Sequence, residues 1–259
     1  MNSDGMVYLV MLRFEDTDGV SNAYWSYELA AYGARLMSTA KPLPLRLGIM
    51  AAERLRAELA QHCERIEIAG SIRRGKPQIG DIELVAIPRV DRSEQRDLFG
   101  TAVTTREHNY LDAHLRHMLR ETPPSIYKSR ADLFSELGLL ADGVPDVLRW
   151  GERYKRFYFL WASVGAIIPV DLFLASADNW GAILTIRTGP GDFSTALVTH
   201  LKHATPYRQM DGQLVIEATG EAVPVPEEAD YFERAGVPYI EPQHRNVPVL
   251  RRAIREAGA

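Results

Sequence analysis

The segment Ile68-Ala-Gly-Ser-Ile-Arg-Arg-Gly-Lys-Pro-Gln-Ile-Gly-Asp-Ile-Glu83 carries the most specific pattern in this chain. Its first half places Gly70 and Ser71 directly after an apolar run, where a glycine turn can bring backbone N–H groups and a hydroxyl close to an anion. Positive charge is added by three residues that follow closely, namely Arg73, Arg74 and Lys76. This half of the segment predicts a phosphate-binding turn.

Two carboxylates stand at the other end of the segment. Asp81 and Glu83 are two positions apart at the start of an apolar run that predicts a strand from Asp81 to Ile87. Because side chains in a strand alternate between its two faces, both carboxylates are expected on one face. Carboxylate oxygens are the ligands that hard cations such as Mg²⁺ prefer, so this half of the segment predicts a metal site.

A third acidic residue lies in predicted strand sequence much further along the chain. Arg153–Ser163 and Ala166–Ala175 have the composition of two strands joined in a hairpin. Asp171 lies inside the second strand with apolar residues on both sides. A carboxylate in otherwise buried sequence is costly unless it is paired or binds a metal, so this position predicts a functional role. Together with Asp81 and Glu83 it forms the set of carboxylates that holds two divalent cations, Mg²⁺ or Mn²⁺.

The remaining periodicity predicts the elements around these strands. After a linker at Lys41–Pro44, a first amphipathic helix is expected to turn inward the residues Ile49, Ala52, Leu55 and Leu59. The polar segment Asp91–Gly151 predicts one or two helices, of which Tyr110–Arg120 is expected to be the crossover that returns the chain to the sheet. The apolar run Ala182–Arg187 predicts a further strand.

The two ends of the chain predict smaller units. Before Lys41 we expect a strand at Val7–Leu12 and one helix. The carboxyl-terminal part predicts a helix with Phe193, Leu197 and Leu201 aligned, a strand at Leu214–Glu217, a helix at Glu227–Ala235 and a last helix carrying Val247, Leu250 and Ile254.

The composition restricts the class of protein. The 259 residues are 46% apolar, which is sufficient for a buried core, and the net charge is −4. A negative chain has no broad electrostatic footprint for nucleic acid, so binding to a polyanion would depend on local basic patches. The residues that could form such patches, each equally consistent with ordinary surface, are Arg153, Lys155, Arg156, Lys202, Arg208, Arg251, Arg252 and Arg255.

The cysteine content and the hydropathy pattern indicate the compartment. The single cysteine, Cys63, cannot form an internal disulfide bond, and the chain has no basic leader. No apolar run reaches the ~18 residues needed to span a bilayer. We therefore expect a cytoplasmic protein without membrane contact, and the sequence carries no signal for its oligomeric state.

The pattern Gly-Ser-x-Arg-Arg-Gly at 70–75, followed by Gly-Asp-x-acid at 80–83, resembles the signature of the nucleotidyltransferase superfamily, in particular the polymerase X family. Asp171 is similar in position to that family's third catalytic carboxylate. Thr188-Gly189 is similar to its nucleotide-contacting turn, and Tyr239–Arg245 is similar to part of its thumb. The resemblance extends over residues 41–245 and is weak at 91–149.

The resemblance implies an α+β fold, with a nucleotidyltransferase-type palm whose mixed β-sheet is flanked by helices, plus a small α+β thumb. It divides the chain into an amino-terminal extension of unknown role (1–40), a palm (41–177) and a thumb-like subdomain that binds nucleotide or nucleic acid (178–259). It makes Asp81, Glu83 and Asp171 the catalytic and metal-binding residues. It assigns the nucleoside triphosphate to Gly70, Ser71, Arg74, Gly80, Thr188 and Gly189.

The chain departs from the polymerase X pattern at several positions. Glu83 replaces the family's second aspartate, and its longer side chain changes the geometry at the metal. Ile186-Arg187 replaces a Tyr-Phe pair, Pro190 replaces a serine, and Ser194 replaces a base-contacting asparagine. These departures concern sugar and base selection more than the chemistry. Residues 1–40 are too few for the lyase domain and paired helix-hairpin-helix motifs of that family, so we expect palm and thumb alone.

The function implied is that of a reduced, repair-type DNA polymerase, which adds a nucleoside monophosphate to a 3′-hydroxyl by two-metal catalysis. One alternative keeps the chemistry and changes the acceptor to an RNA end, a protein or a small molecule. Another is a catalytically inactive nucleotide-binding protein. The thumb-like segment Tyr239–Arg245 favours a DNA primer end, and the three converging acids disfavour the inactive protein because they repel each other without a metal.

Overall fold

The computed structural model describes residues 42–96, 103–120, 149–161 and 166–258. The strands in these ranges are β1 (Leu43–Pro44), β2 (Cys63–Ile68), β3 (Gln78–Ile79), β4 (Ile82–Pro88), β5 (Val90–Arg96), β6 (Val103–Asn109), β7 (Arg149–Trp150), β8 (Tyr154–Trp161), β9 (Ala166–Leu174), β10 (Tyr207–Met210), β11 (Gln213–Ile216) and β12 (Ala222–Val223). The α-helices are α1 (Leu45–Ala60), α2 (Gly70–Arg73), α3 (Tyr110–Arg120), α4 (Trp180–Thr188), α5 (Gly191–Ala204), α6 (Glu228–Arg234) and α7 (Val247–Ala257). The protein is a mixed α+β protein, as the sequence predicted.

A five-stranded sheet forms the centre of the fold, with the strand order β2-β4-β9-β8-β7. Strands β4 and β9 are parallel neighbours, and the other pairs are antiparallel. Parallel neighbours require a crossover connection, and α3 lies in that connection, as predicted. The predicted hairpin partners are also confirmed, since β8 and β9 pair in antiparallel fashion.

The crossover contains a hairpin that the sequence analysis missed. Strands β5 and β6 pair over their full length as a separate two-stranded sheet, in a segment predicted to hold only helices. Both strands are polar on both faces, so the alternation that identifies a half-buried strand is absent. Residues 97–102 and 121–148 of this segment lie outside the described residues, as do the strand and helix expected before Lys41.

The two faces of the sheet are covered by different helices. In β4, Ile82 and Leu84 face α1 and α3 in one core, whereas Val85 faces α4 in another. Because side chains alternate along a strand, Glu83 shares the α4 face with Val85, and Asp171 shares it with Phe173 of β9. The predicted carboxylates therefore lie at the open end of the α4 face.

Two details near the start of the described chain differ from prediction. Ile49 was expected to point inward from α1, but it is 40% exposed. The buried stripe contains the predicted Ala52, Leu55 and Leu59 together with Gly48 and Ala51. The predicted linker contains β1, whose Leu43 pairs with Ile79 of β3. This small sheet joins the start of α1 to the chain just before β4.

The run Ala182–Arg187 is helical, so the predicted strand there was wrong. It belongs to α4, which is apolar around most of its circumference. Trp180 and Leu184 pack on the central sheet, while Ala182 packs into the carboxyl-terminal core. A helix buried on both sides lacks amphipathic periodicity, and a short apolar run cannot then be assigned from its pattern.

The carboxyl-terminal unit has a core of its own. Its elements are α5, the hairpin β10–β11, β12, α6 and α7, and the helices and the hairpin strand were predicted from the sequence. Apolar side chains from α5, α6 and α7 meet in one cluster that includes Phe193, Tyr231 and Leu250. No helix in the described part of the chain is long and apolar enough to cross a membrane.

Candidate active site

Three neighbouring strands bring charged side chains into one row on the α4 face. Glu83 lies opposite Asp171 in the parallel β4–β9 pair, and Arg156 lies opposite Asp171 in the antiparallel β8–β9 pair. Directly opposite residues point to the same face of a sheet. Asp81 precedes β4, two positions before Glu83, and its charge interacts with Asp171. The three carboxylates predicted from the sequence are thus gathered in one place.

Asp171 has a hydrogen-bond donor and an ion-pair partner on β8. The Tyr154 hydroxyl donates a hydrogen bond to Asp171 Oδ1 at 2.7 Å, and Arg156 Nε lies 3.5 Å from the same oxygen. Burial raises the pKa of Tyr154 to about 12, and Asp171 adds to the increase, so the phenol remains protonated at neutral pH. The proximity of Tyr154 and Arg156 to Asp171 depends on the strand register, so it could not be predicted from the sequence.

The carboxylates of the site lie in a partly buried setting. Burial raises the pKa of Glu83 to about 7, with Asp81 and Asp171 adding to the increase and Arg74 opposing it. Burial also raises the pKa of Asp81, and the charge of Asp171 is the second cause. Raised carboxyl pKa values mean that the charged forms are destabilised here. A bound cation would remove that destabilisation.

Gly70 makes room for the Glu83 carboxylate. Its φ of +61° favours glycine, and a Cβ built at Gly70 would overlap the carboxylate of Glu83. The backbone is fixed at the same point, because the amide of Ala69 donates to the carbonyl of Glu83 at 2.8 Å. The glycine predicted for a phosphate-binding turn therefore has a second role, which is to let a longer acidic side chain lie against α2.

Ser71, next to Gly70 in the chain, and Arg74, whose charge interacts with Glu83, each have a buried polar atom without a partner among the described residues. Among the described residues, no group hydrogen-bonds to the buried Ser71 Oγ or the buried Arg74 Nε. Burial lowers the pKa of Arg74, while Glu83 and Asp81 oppose that decrease. Unpaired buried donors are costly, and a bound anion would satisfy them. Gly80 is exposed, and nothing in the structure explains why this position is glycine.

Thr188 and Gly189 support the basic residues from the end of α4. Thr188 is fully buried; its Oγ1 accepts a hydrogen bond from Arg73 at 2.7 Å, and its carbonyl accepts one from Arg74 at 2.6 Å. A Cβ at Gly189 would overlap Ser194 Oγ, so glycine allows α5 to begin close by. The structure thus brings Thr188 to the predicted anion site, with its oxygens occupied by arginines.

Ser194 and Arg187 occupy two positions where the chain departs from the polymerase X pattern. Ser194 is 8% exposed and donates to the Ile186 carbonyl at 2.8 Å, which places its hydroxyl inside the protein. Arg187 is exposed, and its guanidinium carbon lies 3.9 Å from the ring centroid of Phe173. That ring stacks in turn on Tyr154, with centroids 5.1 Å apart.

Arg73 belongs to a buried ion-pair network with the carboxyl-terminal unit. Glu228 accepts from Arg73 at 2.6 Å and from Arg245 at 2.8 Å. Although burial would raise the pKa of Glu228, the hydrogen bonds from both arginines hold it below its ordinary value. Arg73 was expected to add positive charge for phosphate binding. Its guanidinium is instead paired with Glu228, which ties α2 to α6.

Fewer of the basic residues predicted to bind a polyanion are exposed in the structure than the sequence suggested. Lys155 is 3% exposed, and its Nζ lies 2.7 Å from Asp112 of α3, so it cannot contact a polyanion. Arg208 lies 3.4 Å from Glu217 across the β10–β11 hairpin. The exposed residues of the predicted set are Arg153, Lys202, Arg208, Arg251, Arg252 and Arg255.

The chemistry of the acidic residues fits a hard divalent cation. Three carboxylates share one face, two of them have raised pKa values, and oxygen ligands suit Mg²⁺. In the described ranges, however, no three His, Cys, Asp or Glu side chains are arranged to hold a metal ion. Like charges are expected to keep apart until a cation neutralises them.

No protein-family model and no curated protein matches this chain. The interpretation of the site therefore depends on its own residues and geometry.

Proposed function

We propose that this protein is a nucleotidyltransferase of the polymerase X type. It would transfer a nucleoside monophosphate from a nucleoside triphosphate to a 3′-hydroxyl of DNA and release pyrophosphate. The observation that carries this proposal is the pairing of Glu83 with Asp171 on adjacent strands, beside the unpaired polar atoms of Ser71 and Arg74. A cluster of acids next to an anion-binding turn is the arrangement that phosphoryl-type transfer requires.

The residues divide into two functional groups. Asp81, Glu83 and Asp171 would hold Mg²⁺ or Mn²⁺, which when bound neutralises phosphate charge and lowers the pKa of the attacking hydroxyl. The Ser71 hydroxyl and the Arg74 guanidinium would bind the triphosphate, and Thr188 keeps Arg74 in place through its carbonyl. Catalysis would come from positioning and electrostatics, since this class of transfer needs little covalent work from the protein.

A transfer assay with several acceptors tests the proposal. The purified protein is incubated with Mg²⁺ or Mn²⁺ and labelled nucleotides, together with gapped DNA, single-stranded DNA, RNA or no acceptor. We expect addition at a DNA 3′-hydroxyl, abolished by Asp171→Asn and unaffected by Asp178→Asn, an exposed aspartate beyond β9. Full activity in Asp171→Asn would contradict the proposal.

The other outcomes identify the alternatives. Addition to RNA, to protein or to a small molecule would keep the chemistry and change the acceptor. Tight, metal-dependent nucleotide binding without turnover on every acceptor would identify a nucleotide-binding protein. Exposed basic residues on the carboxyl-terminal unit, including Lys202 and Arg251, favour a nucleic-acid acceptor over a protein or a small molecule.

A further inference from the structure

Tyr154 contacts the acidic cluster through a single atom. It lies directly opposite Phe173 in the β8–β9 pair, so Asp171 is its diagonal neighbour, two positions away on the same face. The phenol spans this diagonal and donates to Asp171 Oδ1 at 2.7 Å. The hydrogen bond thus joins the first residue of β8 to the one predicted acid that lies on a different strand from Asp81 and Glu83.

The ring of Tyr154 is held in place by a stack of side chains. It is stacked on Phe173 with an interplanar angle of 22°, and Arg187 covers the same phenylalanine ring. Cation–aromatic and aromatic pairs each add an attraction that restricts ring orientation. The direction of the hydroxyl is therefore determined by packing as well as by the hydrogen bond.

We propose that Tyr154 is a positioning residue, which orients the Asp171 carboxylate for binding a divalent cation. The inference rests on the proposed function, since it assigns Asp171 to the cation. Arg156 also lies near Oδ1, at 3.5 Å, but the tyrosine contact is shorter and better suited to fix the carboxylate plane. Groups that hydrogen-bond to a metal ligand orient it, and their loss costs on the order of 10- to 100-fold in affinity or activity.

The test is the substitution Tyr154→Phe, which removes one oxygen and leaves the ring stack intact. The matched control is Tyr110→Phe, because Tyr110 also donates to an aspartate, Asp91, away from the site. For both variants we would measure Mn²⁺ binding by calorimetry, kcat and KM for nucleotide transfer, and thermal stability.

We expect Tyr154→Phe to weaken Mn²⁺ binding and lower kcat, each by about tenfold. KM for the nucleoside triphosphate should stay within about twofold, and thermal stability should change no more than in Tyr110→Phe. In an Asp171→Asn background, Tyr154→Phe should have no further effect on Mn²⁺ binding. Mn²⁺ affinity and kcat equal to those of Tyr110→Phe would overturn the inference.

The readouts separate this inference from the proposed function. If the wild-type protein binds Mn²⁺ but transfers no nucleotide, the proposed reaction is wrong, while the Mn²⁺ comparison still decides the role of Tyr154. If the wild-type protein transfers nucleotide and Tyr154→Phe does so equally well, only the positioning role is wrong. If the wild-type protein neither binds Mn²⁺ nor transfers nucleotide, both are wrong.

Discussion

Replacing Glu83 with glutamine should stabilise the metal-free protein in alkaline solution and leave it almost unchanged in acid. The folded-state pKa of Glu83 is raised to about 7 from an ordinary 4.5, mainly by burial. The folded protein therefore binds this proton more tightly than the unfolded chain does. The stability that comes from the protonated carboxyl is fully present below about pH 4.5 and is lost as the pH rises through about 7.

The size of this effect follows from the same pKa difference. A full difference of this size corresponds to at most about 3 kcal/mol of unfolding free energy above neutral pH. Because Glu83 keeps some exposure to solvent, screening reduces that figure, and we expect about 1–2 kcal/mol. Glutamine keeps the shape of the side chain and carries no charge, so it avoids this loss.

Urea unfolding of both proteins with a chelator present, at about pH 4.5 and about pH 8, measures the difference. Glu64→Gln, at an exposed position of β2, is the control for removing one carboxylate outside the site. A Glu83→Gln protein that is no more stable than wild type at the higher pH would refute the electrostatic argument. Excess Mg²⁺ should remove this difference in unfolding free energy, because it stabilises only the wild-type protein.

Three further substitutions test separate parts of the site. Gly70→Ala should lower the free energy of unfolding in urea by at least about 2 kcal/mol, because it adds both a strained φ and an overlap with Glu83. Gly75→Ala is the control: its φ is +69° and the space around it is open, so it should lose only the free energy due to the strained backbone. Equal losses in the two variants would contradict the overlap. Ser71→Ala should raise KM for the nucleoside triphosphate and leave the thermal midpoint unchanged, because its hydroxyl has no partner among the described residues. Glu228→Gln should cost about 3 kcal/mol in urea unfolding by leaving two arginines without their counter-charge, and a loss below about 1 kcal/mol would show that the network is solvated.

The acidic residues were predictable because their signal is local. Asp81 and Glu83 stand two positions apart in an apolar run, and Asp171 interrupts another, so strand periodicity alone places each on a face. The hairpin of β8 and β9 followed from composition for the same reason. What the sequence could not supply was the register, which brings Tyr154 and Arg156 to Asp171.

Some contacts could not be predicted because residues of the same type lie in different surroundings in the fold. Arg73 and Arg74 look equivalent in the sequence, but neighbouring helical positions point in different directions. One arginine therefore reaches Glu228, while the other remains beside Glu83. The helix α4 was mistaken for a strand because burial on both sides removes the periodicity on which such a prediction depends.

The position of α4 between two cores makes residue 177 an unfavourable place to cut the chain. A fragment ending at residue 177 would uncover Val85 and Phe173, which α4 shields through Trp180 and Leu184. The complementary fragment would have to expose the other side of that helix. Each half on its own would present bare apolar surface and aggregate. Attempts to produce the sheet half separately should therefore retain α4 and replace the residues that it turns toward the missing half.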